Sequence, residues 1–400
     1  MRRDSVAYFH TIFKCSAWAM IIFLSILLTG CWNNIDLNET RLVSVVGVDI
    51  GPQGQYRLTA RIYNPSAAKK ESQGQSGQPS KVVGQIVQAD GNTIFDAIRN
   101  LISYTGFKLN FQHIKYIVIG DELAKKTLLP ILDFFLRDHE PRLRTWVLIS
   151  NQQNAERILK SYPIVHSNQA TEMDEKMKAS KSIGKYPAVP MIELARMLAH
   201  KNQTAELPLV ESKTVQKVPV NYVLGTALIN HGKMIATLGP KQTRGMLFVK
   251  NQITSSILDV PMDIKKHEYI ALEVMDAKTQ NIPELKKNEL TMYIQVHVTA
   301  NIGSIEIPAE ANKDLYRTLE QKSSQIIQDE IQRAMVSIQK NKADVFGFGD
   351  LVQRKYPHEW NTVKNSWPIM FANSKIRVNV HVHIKHNGLQ FNTLKWNKGD

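Results

Sequence analysis

Leu42-Val43-Ser44-Val45-Val46-Gly47-Val48 decides the fold class. Four valines and a leucine leave neither side of a strand polar, which suits a strand buried on both faces. Downstream, Tyr56, Leu58, Ala60 and Ile62 alternate with Arg57, Thr59 and Arg61, the pattern of a half-exposed strand. Gly51-Pro52-Gln53-Gly54 supplies the turn between the two. Residues 64–80 are rich in Ser, Gln, Gly, Lys and Pro and read as a flexible loop, after which strand-like Val82–Val87 resumes.

Helices alternate with further strands. Ile94, Ile98 and Leu101 form a helical stripe with Asn92 or Thr93 at its cap. Tyr116-Ile117-Val118-Ile119 is a buried strand closed by Gly120, with Asp121 capping the next helix and Pro130 opening another through Phe134 and Leu136. Trp146–Ile149 is a strand, followed by a helix near Ala155–Lys160. This alternation predicts a mixed α/β fold, a sheet with helices on it. Residues 161–189 are polar, and a short helix over Met191–Ala199 follows.

Asn230-His231-Gly232-Lys233 reads as a hairpin turn with a left-handed Gly, inside a small middle domain over 206–275. A C-terminal domain over 284–400 holds an alternating strand at 292–299 and a long helix at 308–342. The helix stripe includes Leu315, Leu319, Ile327, Ile331, Met335 and Ile338. Ile376, Val378, Val380, Val382 and Ile384 mark a closing strand. The expected organisation is therefore three consecutive mixed domains, the first over 31–205, behind an N-terminal signal at 1–30.

That signal is the clearest motif. Arg2 and Arg3 precede an uncharged run from Cys15 to Thr29 rich in bulky apolar residues, which ends in Leu28-Thr29-Gly30-Cys31. A basic start, an apolar segment and small residues before a cysteine read as a lipoprotein signal peptide. Leu28 and Thr29 belong to the lipobox, cleavage falls between Gly30 and Cys31, and the Cys31 thiol receives the lipid. The competing reading is an uncleaved membrane helix, since the uncharged run extends to Ile35; Asn33 and Asn34 argue against it. On the lipoprotein reading the only other cysteine, Cys15, departs with the signal, and the mature chain has neither free thiol nor disulfide. Loss of residues 1–30 removes Arg2, Arg3 and Lys14 and one acid, Asp4, so the formal charge of +14 falls to about +12. A body outside the membrane with that charge favours lipid head groups, wall polymers or an acidic protein surface over nucleic acid.

No motif speaks strongly for catalysis. His381 and His383 share a strand face near His386, yet no carboxylate stands beside them at ligand spacing, so a polar strand face explains them as well as a metal does. Asp138-His139-Glu140 precedes Pro141 and reads as a helix-closing turn. Gly347-Phe348-Gly349-Asp350 lacks the Lys-Ser/Thr of a phosphate loop and reads as a linker with Asp350 as a cap. Trp360 and Trp367, seven apart, fit core packing. Lys176, Lys178, Lys181 and Lys185 form a local basic run, either a solvated loop or a surface for an anionic partner. No serine elbow or triad is visible. No enzyme activity, cofactor or metal is expected.

Several blocks together resemble the Ger(x)C family, the lipoprotein C subunits of spore germinant receptors. They are Leu28–Asn34 with Asp36–Glu39 and Val46-Gly47-Val48-Asp49; Gly91–Arg99; His113-Ile114-Lys115 with Val118–Ala124; Asp133–Asp138; Gly225–Ala227 through Thr243-Arg244-Gly245; and Phe346–Gly349 with Tyr356-Pro357, Trp360 and Trp367. The family usually carries an acid after Cys-Trp, where this chain has Asn33. The resemblance implies three α/β domains and a non-catalytic role in spore germination, beside two integral-membrane partners, the A-type and B-type subunits. It implies a location on the outer face of the inner spore membrane or cell membrane. A solute-binding lipoprotein of a transporter is the alternative, and it requires two similar lobes around a cleft.

Overall fold

The computed structural model describes Trp18, Met20 and residues 40–63, 84–306 (except 139, 167, 201, 202, 266 and 288) and 313–387, with backbone alone at 386 and 387. Two mixed sheets with helices packed on them make up this part of the chain.

The first sheet is built around β1 (Thr40–Ile50). Antiparallel β2 (Tyr56–Tyr63) and β3 (Gln85–Gly91) lie on one side of it. On the other side, β4 (Lys108–Asn110), β5 (Tyr116–Ile119), β6 (Trp146–Ser150) and β7 (Thr204–Val215) run parallel to it. Antiparallel β8 (Val218–Asn230) and β9 (Lys233–Leu238) complete the sheet. The valine run is buried on both faces as its composition requires. Val43, Val46 and Val48 pack under α1 (Ile94–Thr105), α2 (Asp121–Lys126) and α3 (Leu129–Arg137). Val45 faces α4 (Ala155–Leu159) and α5 (Gln169–Lys178).

Local signals hold where the backbone demanded them. Thr93 caps α1 by accepting the Asp96 N–H at 3.0 Å, and the Asp96 carboxylate accepts the Asn92 N–H at 2.9 Å. His231 and Gly232 both have positive φ, 48° and 70°, the geometry of a two-residue hairpin turn. Asp121, expected as a cap, is instead the first residue of α2, where its carboxylate takes Lys125 at 2.5 Å; Gly120 holds the cap position.

The polar stretch 161–189 carries two helices not anticipated, α5 and α6 (Ser180–Ile183), before α7 (Met191–Ala199). Residues 206–275 do not stand apart as a middle unit. Strands β7–β9 extend the first sheet, α8 (Pro240–Val249) follows, and β10 (Ser256–Asp263) and β11 (Glu268–Lys286) belong to the second sheet. Nor does a boundary fall between 275 and 284, because β11 runs unbroken through it into β12 (Glu289–Ile305). The second sheet has the order β10-β11-β12-β13, with β13 (Lys375–Asn387) parallel to β12.

The long helix α9 (Lys313–Lys340) packs on this sheet through Leu319, Ile327, Ile331, Met335 and Ile338. It also covers the sheet's edge: the N–H groups of Val382 and Ile384 donate to Ser324 Oγ at 3.1 Å and Glu320 Oε1 at 2.9 Å. Short helices α10 (Phe348–Lys355), α11 (Pro357–Val363) and α12 (Trp367–Asn373) close the core, where the rings of Trp360 and Trp367 meet edge-on at 5.2 Å.

Candidate functional site

The expected acylation signal at Leu28, Thr29, Gly30 and Cys31 and the stretch 64–80, expected as a loop, lie outside the described residues. The remaining residues singled out from sequence do not gather at one place. His381 stacks on His297 of neighbouring β12, ring centroids 5.4 Å apart, whereas His383 turns its Nδ1 toward Glu320 of α9 at 3.2 Å. Both are exposed on the outward face of β13; the side chain of His386 lies outside the described residues. Among the described residues no group of three or more His, Cys, Asp or Glu is placed to hold a metal ion.

The acids around position 139 tie backbone. Glu140 accepts the Phe111 N–H at 3.0 Å, and Asp138 accepts the Glu140 N–H at 3.1 Å. In the glycine-rich segment Asp350 is not the cap: Gly347 takes that position with φ 70°. The decisive acid is Asp344, which is fully buried. Its carboxylate accepts the N–H groups of Phe346 (3.2 Å), Phe348 (3.1 Å) and Gly349 (2.8 Å) and the Trp367 indole N–H at 3.1 Å. Burial pushes its pKa up, against the opposing pull of those donors. The loop is held from within, since the amides of Phe346, Phe348 and Gly349 are taken by Asp344 and cannot cradle a phosphate. The lysine run is half neutralised, since Lys176 pairs with Glu172 at 2.7 Å, and Lys178 with Asp174 at 3.0 Å and Glu175 at 2.8 Å.

A concave surface exists where open α/β sheets usually bind ligands, beyond the carboxyl ends of parallel strands. Asp49 at the end of β1 accepts the N–H groups of Ala155 (2.8 Å) and Glu156 (3.1 Å), and burial raises its pKa. Gly120 lies so close to this carboxylate that a Cβ there would collide with Oδ1. Beside this point, Gln152, Gln153, Asn154, Arg157, Lys160 and Ser212 border a groove of about 520 Å³. Gln153 is fixed across it, accepting the Ser212 N–H at 3.0 Å and donating to the Ser212 carbonyl at 3.3 Å. Lys160 is paired with Glu156. The groove offers amides, the Arg157 guanidinium and the Glu156–Lys160 ion pair, groups suited to hydrogen-bonding a polar ligand.

A set of closely held polar groups sits between the sheets, and no spacing in the chain points to their partners. Arg244 of α8 forks onto Glu330 of α9, Nε–Oε2 at 2.8 Å and Nη2–Oε1 at 2.6 Å, and also donates to the Ile257 carbonyl. Gly245 lies against the α9 backbone at Glu330, where a Cβ would strike the Glu330 carbonyl. Lys250 pairs with buried Glu206 of β7 and donates to the Val345 carbonyl at 2.8 Å. Thr226 of β8 and Thr243 share a hydrogen bond at 2.9 Å, and Thr204 donates to the Asp344 carbonyl at 2.8 Å.

Comparison with known families accounts for both halves. A "Spore germination protein N-terminal domain" model matches residues 33–212, and a "Spore germination B3/ GerAC like, C-terminal" model matches residues 224–388. The chain belongs to the Ger(x)C family of spore germination proteins. Spore germination protein KC of Bacillus subtilis (strain 168) is similar to this Ger(x)C chain over nearly its whole length. It is 23% identical over 400 residues, covering 96% of this chain and 98% of the relative. Spore germination protein B3 of the same organism is 23% identical over 381 residues, covering 93% and 98%. The crystal structure of the GerBC protein has the same fold, with a TM-score of 0.56 at 17% identity over 85% of this chain and 96% of that one. In this Ger(x)C chain, Asp49 and Gly120 of the quoted blocks meet beside the groove. Thr243-Arg244-Gly245 forms the contact of α8 with α9, and Phe346–Gly349 wraps Asp344.

Proposed function

We propose that this chain is the lipid-anchored, outward-facing C subunit of a nutrient germinant receptor. It would act through contacts with the two integral-membrane subunits, A-type and B-type, and not by catalysis. The observation that carries the reading is Leu28-Thr29-Gly30-Cys31 at the end of an apolar run, nine residues ahead of the first strand of a Ger(x)C fold. Two acyl chains on one cysteine give stable anchoring where a single chain is marginal. No described helix is long and apolar enough to cross a membrane. The site follows as the outer face of the inner spore membrane or cell membrane.

The groove of Asn154 and Ser212 lies along one sheet and not between two similar lobes, so the transporter reading gains no support from it. The test is Cys31→Ala with labelled palmitate. The variant is expected to lose the label, keep its signal peptide and germinate poorly on nutrient. Normal labelling would overturn the lipobox assignment. Pull-down of the wild-type chain from spore membranes should bring two integral-membrane subunits; recovery of an ATP-driven permease instead would overturn the receptor assignment.

A further inference from the structure

We infer that the end of the first sheet at which the chain enters β1 lies against an anionic lipid surface. The inference rests on the anchoring reading above and adds the orientation of the body on the membrane.

Thr40 begins β1 nine residues after Cys31. At ~3.3–3.6 Å per residue, nine residues reach ~30 Å at most, so the end of the sheet bearing Thr40 stays near the bilayer. The cations of this end are collected by strand register. Lys108 of β4 is paired with Thr40 itself. Lys115 donates its N–H to the Ser44 carbonyl at 2.9 Å, and its own carbonyl accepts the Trp146 N–H at 3.0 Å. That second bond places Arg142-Leu143-Arg144, just ahead of β6, beside it; the Leu143 carbonyl in turn accepts the Ile192 N–H at 3.0 Å.

Lys108, Lys115, Arg142 and Arg144 are all exposed. Leu143, 47% exposed, stands between the two arginines as an apolar side chain open to solvent. Lys115 lies 3.8 Å from Asp174, but among the described residues no acid is within ion-pair distance of Lys108, Arg142 or Arg144. The nearby carboxylates of Glu140 and Asp138 take backbone N–H groups.

The opposite end of the same sheet behaves differently. There Arg57 is held by Asp90 at 2.8 Å, Lys125 by Asp121 at 2.5 Å and Lys160 by Glu156. At that end Arg157 of the groove is exposed without an ion pair among the described residues while three other cations are held, whereas at the tethered end Lys108, Arg142 and Arg144 all lack one and an exposed leucine stands among them. An anionic head-group layer complements that arrangement.

Vesicle sedimentation tests this with the chain from residue 31 carrying Cys31→Ser, so that no acyl group contributes. Binding is expected to vesicles of equal phosphatidylcholine and phosphatidylglycerol, to be absent on phosphatidylcholine alone, and to vanish in 1 M salt. Each basic residue at such a surface is worth about 5-fold in partitioning, so Arg142→Gln with Arg144→Gln should lower it roughly 25-fold. Lys278→Gln with Lys287→Gln, the same charge change on the second sheet, should leave binding unaltered. Circular dichroism checks that each variant is folded, and Lys108→Gln with Lys115→Gln serves as a second pair. Equal binding to both vesicle types, no binding to the anionic ones, no loss in either pole pair, or an equal loss in the control pair would overturn the inference. Palmitate labelling of the wild-type chain reads the anchor separately, so failure of one reading is distinguishable from failure of the other.

Discussion

Breaking the Arg244–Glu330 pair from one side should be among the most damaging single changes in the body. Glu330 is 3% exposed, and the guanidinium meets its two oxygens at 2.6 and 2.8 Å. Leu or Gln at 330 leaves a buried cation with the Ile257 carbonyl as its remaining protein acceptor, or with one amide oxygen besides. Removing one partner of a buried pair costs ~3–5 kcal/mol, because the other charge is stranded away from water. Glu330→Gln should fall near the lower figure and Glu330→Leu near the upper. With a urea slope of ~2 kcal/mol per M, the unfolding midpoint drops by ~1.5–2.5 M. Tryptophan fluorescence reads it, because Trp360 and Trp367 lie in the core that α9 covers. Arg244→Met combined with Glu330→Leu removes both charges and should recover to within ~1 kcal/mol of the native chain. A single variant costing less than ~1 kcal/mol, or a double variant as unstable as the two singles added, would refute the reasoning.

Asp344→Ala strips the acceptor from three backbone N–H groups and the Trp367 indole; a loss of ~3 kcal/mol or more is expected from the same urea titration. Arg57 holds the Asp90 carboxyl below its ordinary pKa, so the pair stabilises the fold above ~4 and loses that contribution as pH falls through the lowered value. The gap in unfolding free energy between wild type and Arg57→Gln, from urea titrations, should therefore be constant from pH 7 to ~5 and close at lower pH, reaching ~1 kcal/mol at most for a pair this exposed. A chain cut after residue 212 loses β8 and β9, bares β7 as an edge and leaves Glu206 buried without Lys250. It should show no cooperative urea transition, and a sharp one would contradict the shared packing of the two halves.

What was legible in the sequence follows from where each element meets its surroundings. β1 could be read because both its faces are dry, and α9 because one stripe alone is buried. α5 hid in a polar stretch because it shows water a Lys- and Glu-rich surface; Ala170, Met173 and Met177, its buried side, were the available signal. The middle of β11 fell between the expected domains 206–275 and 284–400 for the opposite reason. Thr279 and Asn281 look like loop residues, yet they donate to the last carbonyls of α8, Phe248 at 2.6 Å and Val249 at 2.9 Å. The fork of Arg244 onto Glu330 joins residues 86 apart, and no period in the chain connects them. The groove likewise takes its walls from the loop after β6, from α4 and from β7 and β8, which only the sheet order brings together. The proposed lipobox is a linear signal, so its reading rests on Leu28–Cys31 alone and awaits the labelling test.

The ten residues of α8 explain why the family match in two parts does not make two independent beads. Thr243, Gly245 and Val249 are indifferent helix formers, yet every residue from Thr243 to Val249 is buried. The helix persists because both halves of the chain hold it. Thr226 and Glu206 bind it from the first sheet, through Thr243 and Lys250. Glu330 binds Arg244 from α9, and Thr279 and Asn281 of β11 close its C-terminal carbonyls. Its apolar side is shared too, since Leu228 and Leu238 of the first sheet lie in the same core as the second sheet. Apolar contact alone would tolerate sliding, whereas a guanidinium fork and carbonyls met one by one have a single geometry. The second sheet is thereby held in one direction relative to the end at which the chain enters β1, and the outward face bearing Tyr293, His297 and His381 inherits that direction.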